Sequence, residues 1–167
     1  MLGHSDKYES TFFSISSSSI SSNDEVFEVL VNYATRESQI ADFYSIFKNR
    51  LTDFLHVFNG VEFEVPPLEE GMDLVYSFLP EIQKLFGDEI FKNFLLVFSG
   101  TTVKVPDINY VKNTLRDVDI FVRMSKCTTK SDRLAVARQF VKHYKITIQE
   151  AHWANRRVKR EIARRLN

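Results

Sequence analysis

One cysteine, one tryptophan, four prolines and five glycines in 167 residues leave this chain few covalent or conformational fasteners. The lone Cys127 excludes an intrachain disulfide, and the lack of a second cysteine argues against a thiolate-based zinc site. The glycines form no phosphate-binding or dinucleotide-binding pattern. No run approaches the ~18 apolar residues of a membrane span. The N-terminus has no basic segment followed by a continuous apolar one, so export and membrane association are not expected and a cytoplasmic location is. Net charge is also missing, since 22 Lys and Arg balance 22 Asp and Glu.

That balance is a cancellation between two ends of the chain. Residues 1–122 hold 9 Lys and Arg against 19 Asp and Glu, and residues 123–167 hold 13 against 3, giving −10 and +10. A basic C-terminal segment on an acidic body points to a polyanion partner, because a local patch concentrates counter-charge whatever the total. Mutual attraction of the two halves within the fold is the plainer alternative. With 44% hydrophobic residues and fifteen phenylalanines the chain can fill a core.

Residues 1–23, with the serine run 16–19, read as a flexible leader. Asn23 or Ser22 can cap a helix whose Val26, Leu30 and Tyr33 share a face. A long helix is expected from about Ser38 to Phe58, since Ile40, Phe43 or Tyr44, Phe47, Leu51, Phe54 or Leu55, and Phe58 keep a three-four spacing. Asn59-Gly60 ends it. Val61, Phe63 and Val65 then alternate with Glu62 and Glu64 before Pro66-Pro67 stops a short strand. Forty residues later the pattern returns: FLHVFNGVEFEVP (54–66) and FLLVFSGTTVKVP (94–106) agree at seven of thirteen positions.

The unit is therefore an internal duplication. Between the copies a short helix is expected around Met72 to Phe78, then a helix started by Pro80 and interrupted near Gly87. Two copies of the first strand would bring Glu62 and Glu64 onto like charges, which destabilises a sheet. Pairing the first copy with the second instead sets Glu62, Phe63 and Glu64 against Thr102, Val103 and Lys104. After Pro106, Asp107 caps a helix with the stripe Ile108, Val111, Leu115, Val118 and Val122. Met124 to Ser131 reads as a hinge, and the charge changes sign across it.

Beyond it, Thr129-Lys130-Ser131-Asp132 caps a helix with apolar positions Leu134, Ala137, Phe140 or Val141, and Tyr144. A four-residue joint, Tyr144 to Thr147, leads to a second cap, the T-x-x-E box Thr147-Ile148-Gln149-Glu150. Ala151, Ala154 or Asn155, Val158 and Ile162 form a narrow stripe that begins with alanines, so a partner helix can approach closely. Two helices joined this tightly must cross steeply, as in a helix-turn-helix. The outward face then offers Gln149, His152, Trp153 and Arg156 to base edges. Lys142, Lys145, Arg157, Lys159 and Arg160 would grip phosphates. Lys145 stands at the turn position that often takes glycine, which requires an uncommon positive φ.

The glycine after an aromatic residue, the short strand closed by proline, the following helix containing Leu115-Arg116-Asp117-Val118-Asp119-Ile120-Phe121 and the helix-turn-helix after it resemble the Mor transcription-activator family of transposable phages. The resemblance covers about residues 85–165. It implies a helical dimerisation module with a strand pair between subunits, carrying DNA-binding helices that activate a promoter with the host RNA polymerase. The implied partners are double-stranded DNA and RNA polymerase, with a homodimer or a single-chain pseudo-dimer as the assembly. Carried over by position, the DNA contacts fall on Gln149, His152, Trp153 and Arg156, with phosphate contacts around the turn. This chain departs from the family in a longer Met124 to Ser131 loop and first helix of the motif, and in having two strand units for one helix-turn-helix.

An enzyme is not expected, because candidate groups do not converge. Cys127 has no sequence-visible partner, His143 and His152 fall on different helices, and Asp117 and Asp119 point to different sides of one helix. No cofactor or metal is called for. The sequence thus predicts a mainly α fold with a small two-stranded β ribbon: a leader (1–23), a helical N-terminal body (24–124) with the duplicated unit, and a C-terminal helix-turn-helix (129–167). The expected function is sequence-specific DNA binding in transcription regulation, Mor-like, at a phage or mobile-element promoter. The alternative is a non-enzymatic interaction protein whose basic C-terminal helix binds an acidic protein or RNA.

Overall fold

The computed structural model describes residues 23–33, 35–67 and 79–167. Among these residues the fold is mainly helical with one two-stranded antiparallel sheet, as the sequence predicts. In chain order the elements are α1 (Asn23–Val31), α2 (Thr35–Phe47), a 3-10 turn (Lys48–Arg50), α3 (Leu51–Phe58), β1 (Glu62–Glu64), α4 (Leu79–Phe86), α5 (Asp88–Phe98), β2 (Thr102–Lys104), α6 (Ile108–Ser125), α7 (Lys130–Tyr144) and α8 (Ile148–Leu166). The expected leader (residues 1–22 of it) and the expected helix at Met72 to Phe78 lie outside the described residues. Packing divides the chain into two units, Asp42–Tyr110 and the remainder on either side of it.

Within Asp42–Tyr110 the duplicated segments fold as near-equivalent halves. Each ends a helix in a Gly at φ 71°, Gly60 in one copy and Gly100 in the other. A β-carbon at Gly60 would meet nothing within 4 Å, so the left-handed backbone rather than lack of space calls for glycine there. The strands pair as Glu62↔Lys104, Phe63↔Val103 and Glu64↔Thr102. Shifting each residue by forty returns the same three pairs, so a local two-fold passes between Phe63 and Val103 and exchanges them. Flanking bonds obey it: Val65 N donates to Thr101 O at 2.9 Å and Val105 N to Val61 O at 2.8 Å. Pro66 and Pro106 follow at once, and having no N–H they end the ladder.

The repeat reaches further back than its thirteen matching positions. Phe43 and Phe47 of α2 are buried in the same three-to-four spacing as Ile82 and Phe86 of α4, and each helix then breaks at a positive φ, Lys48 at 49° and Gly87 at 87°. The single helix expected from Ser38 to Phe58 is therefore two helices joined by a 3-10 turn. The spacing hid the break because Phe47 and Leu51, on either side of it, are both buried. Phenylalanines fill the space between the halves: Phe47 meets Phe86 edge-on at 5.1 Å and Phe63 stacks on Phe94 at 5.9 Å, centroid to centroid.

The other unit gathers α1, α7, α8 and most of α6. Ile120 and Met124 of α6 join Ala137 and Phe140 of α7 and Ala151 and Ala154 of α8 in one core. This corrects the expected hinge. Met124 is 2% exposed and α6 continues to Ser125, so the connection to α7 is Lys126 to Thr129 only. It also moves the packing boundary to residues 110/111, ahead of the charge flip, because α6 supplies apolar cover for the two C-terminal helices. At the edge of this unit Lys126 Nζ meets Glu25 at 2.6 Å, and Arg165 Nη1 donates to Val31 O at 3.1 Å. Among the described residues no helix is long and apolar enough to cross a membrane.

Candidate nucleic-acid interface

Two capping boxes set the helices of the site. Asp132 N donates to Thr129 Oγ1 at 3.0 Å while Thr129 N donates to the Asp132 carboxylate at 3.3 Å, which fixes the start of α7. Glu150 N donates to Thr147 Oγ1 at 3.1 Å and Thr147 N to Glu150 Oε2 at 2.6 Å, which fixes the start of α8. Each box satisfies donors that a helix N-terminus otherwise leaves bare. Between the helices stand three residues, and Lys145 at φ 54°, ψ 40° makes the left-handed turn. A lysine bears the strain that glycine would avoid.

The turn folds α8 back onto α7 through small side chains. Ala151, Ala154 and Val158 are all at most 1% exposed, so the helices meet closely, with Phe140 filling the space alongside. Polar ties from α6 then fix both helices. Tyr144 Oη, at the end of α7, donates to Asp119 Oδ2 at 2.8 Å, and Arg123 Nε donates to Asp119 Oδ1 at 3.0 Å. The Arg123 guanidinium also lies 5.5 Å from the Phe140 ring centroid. On α8, Arg157 pairs with Asp117 Oδ2 at 3.2 Å, while Arg116 holds the other oxygen at 2.8 Å. The two aspartates do point to different sides, one to each helix of the motif.

Burial dominates the titration of this cluster. It pushes the Asp119 carboxyl up, and Arg123 and Tyr144 pull it part of the way back. Burial and then the Asp119 charge drive the Tyr144 hydroxyl far above its ordinary value, so it stays a donor. Burial also lowers the neighbouring His143, against the pull of Asp119. Asp119, Arg123 and Tyr144 serve as structural ties between α6 and α7.

The outward face of α8 carries the residues chosen from the sequence. Gln149 and Arg156 are exposed, Trp153 is 51% exposed and His152 is half-buried. Lys142 of α7, Lys145 of the turn, and Lys159 and Arg160 of α8 are also exposed. Arg157 is the exception in kind: half of it reaches solvent, but its guanidinium is committed to Asp117. Both acids of α8 are engaged, Glu150 in the cap and Glu161 with Arg164 at 3.0 Å. Lys130 and Arg133 of α7 line an open groove with Gln149, His152 and Arg156. The sequence reading passed over those two cations, although the Thr129 cap places both in the first turn of α7. Glu62, Phe63, Glu64, Val103 and Lys104 lie in the other unit, in the ribbon already described. Among the described residues no three His, Cys, Asp or Glu side chains gather as a metal site.

In comparisons with protein-family models, curated proteins and solved structures, nothing matches this chain.

Proposed function

We propose that the protein is a sequence-specific, duplex-DNA-binding transcription regulator that acts in the cytoplasm and lays α8 in the major groove. The observation that carries this reading is the outward face of α8: Gln149, His152, Trp153 and Arg156 occupy it, Lys130, Arg133 and Arg160 line the hollows beside it, and both acids of the helix are tied up elsewhere. Arginine reads guanine and glutamine reads adenine by paired hydrogen bonds, each worth about 1–3 kcal/mol of discrimination. Lys142, Lys145, Lys159 and Arg160, joined by Lys130 and Arg133, take phosphates and set the register. Arg157 contributes by anchoring α8. The promoter context, a phage or mobile element acted on with host RNA polymerase, comes from the resemblance to the Mor activators alone. In that setting the intrachain ribbon supports a single-chain pseudo-dimer with one reading helix.

The test is selection of the full chain against random duplex DNA. Enrichment of a defined element is expected, with affinity falling steeply as salt rises, by a log-log slope of about −4 to −5 for about five phosphate contacts. Arg156→Ala should relax the sequence preference, and Lys159→Ala should weaken every duplex alike. Salt-insensitive binding, or capture of RNA or an acidic protein with no preferred duplex, would refute the proposal in favour of a non-enzymatic interaction protein.

A further inference from the structure

Trp153 is the only tryptophan in the chain, and it is 51% exposed in the middle of the α8 face. Gln149 lies one turn before it and Arg156 one turn after, so the three share a side of the helix. Arg156, Arg157 and Arg160 line the hollow beside the indole. Arg157 is fixed from behind by Asp117, so one wall of that hollow is held in place. An indole offers a single donor, Nε1–H, next to an apolar ring edge, and it has no acceptor. A single exposed apolar residue needs no explanation by itself, but this one combines two chemistries in a position between two base-reading side chains.

The geometry points to Trp153 as the thymine-reading residue of the site, an inference that rests on the duplex-DNA reading above. In the major groove thymine presents the O4 acceptor beside the C5 methyl, whereas adenine and guanine present no methyl and cytosine presents the N4 donor. Thymine is thus the one base whose edge matches a donor beside an apolar surface. The same logic excludes 5-methylcytosine, which has the methyl but would turn its N4 donor toward the indole N–H. Gln149 and Trp153 are about 6 Å apart along the helix axis, and Trp153 and Arg156 about 4.5 Å, at ~1.5 Å per residue. That spacing lets Trp153 meet a base between those addressed by its two neighbours.

The experiment uses the full chain and the duplex obtained by selection, with each thymine replaced in turn by uracil, which removes the methyl and keeps O4. One position should lose about three- to five-fold in affinity, the worth of one buried methyl. Trp153→Ala should bind the thymine and uracil forms of that position equally, and Trp153→Phe should keep the uracil penalty because its ring still covers the methyl. 5-Methylcytosine at that position should bind the native protein no better than cytosine. Circular dichroism checks that the variants stay folded, which the exposure of Trp153 favours. Absence of any uracil-sensitive position, or a penalty that persists in Trp153→Ala, overturns the assignment and leaves the duplex reading intact. Failure to enrich any duplex overturns both.

Discussion

Tyr144 donates its hydroxyl to Asp119 at 2.8 Å, linking the last residue of α7 to the middle of α6 across a buried core. Tyr144→Phe leaves that carboxylate with Arg123 as its hydrogen-bond partner and should cost about 1–2 kcal/mol. A shift in the urea midpoint without a change in slope would measure it. The pH dependence has a definite sign. Burial raises the Asp119 pKa above 3.8, so its contribution to stability is fullest below that value and is lost as pH rises through the folded pKa. Because Tyr144 stabilises the charged form, the deficit of Tyr144→Phe should be larger at pH 7 than at pH 3. An equal deficit at both would mean that the hydroxyl does not hold the carboxylate.

Arg157 and Arg160 stand three residues apart on the same cationic helix but have different surroundings. Arg157 meets the nearly buried Asp117 at 3.2 Å, whereas Arg160 is 66% exposed and 3.9 Å from Glu161. Arg157→Ala should therefore lower stability by about 0.5–1 kcal/mol, a modest figure because Arg116 still holds Asp117 and half of Arg157 is in water. Arg160→Ala should leave stability unchanged and reduce affinity for duplexes of any sequence. Identical unfolding curves for the two variants would remove the anchoring role of Arg157.

The cap at the start of α8 makes a second pH prediction of opposite sense. Backbone and side-chain hydrogen bonds from Thr147 hold the Glu150 carboxyl below its ordinary 4.5. Its contribution is therefore present above that value and is lost as pH falls through the lower folded pKa. The difference in melting temperature between the native chain and Glu150→Gln should shrink as pH drops from 6 to 3. Thr147→Ala removes the other half of the box and should cost about 1 kcal/mol at neutral pH. Thermal melts of the two variants at pH 3, 4.5 and 6 would show a pH-independent difference if the box does not form in solution.

These ties mark where sequence reading succeeds and where it stops. Both helix caps, the positive φ at Lys145 and the break at Gly87 depend on residues a few positions apart, and all were legible; that Asp132 completes a box at Thr129 came from the structure. The break at Lys48 was not, since no glycine or proline marks it and the apolar spacing runs through it. Arg157 looked like its neighbours because nothing local reveals Asp117, forty residues earlier on a different helix. Met124 fell in a polar stretch that read as a hinge, yet its side chain completes the core beneath α7 and α8. What the sequence missed are contacts chosen by tertiary packing, and they decide which cations are available to a ligand.

The ribbon offers the last prediction. Glu62 faces Lys104 and Glu64 faces Thr102 on either side of a local two-fold that passes between Phe63 and Val103. Lys104→Glu would put a glutamate opposite Glu62 and should destabilise the unit by about 0.2–1 kcal/mol, while Glu62→Lys combined with Lys104→Glu should recover most of that loss. The recovery separates charge from fold, because the double variant changes the same two positions and keeps an opposite-charge pair. Pairing within the chain can be checked directly with Phe63→Cys and Val103→Cys in the Cys127→Ser background. A crosslinked monomer is expected on a nonreducing gel, independent of protein concentration. Crosslinks that form only between chains, joining 63 to 63, would mean that the strands pair across subunits, and the assembly would then carry two copies of α8.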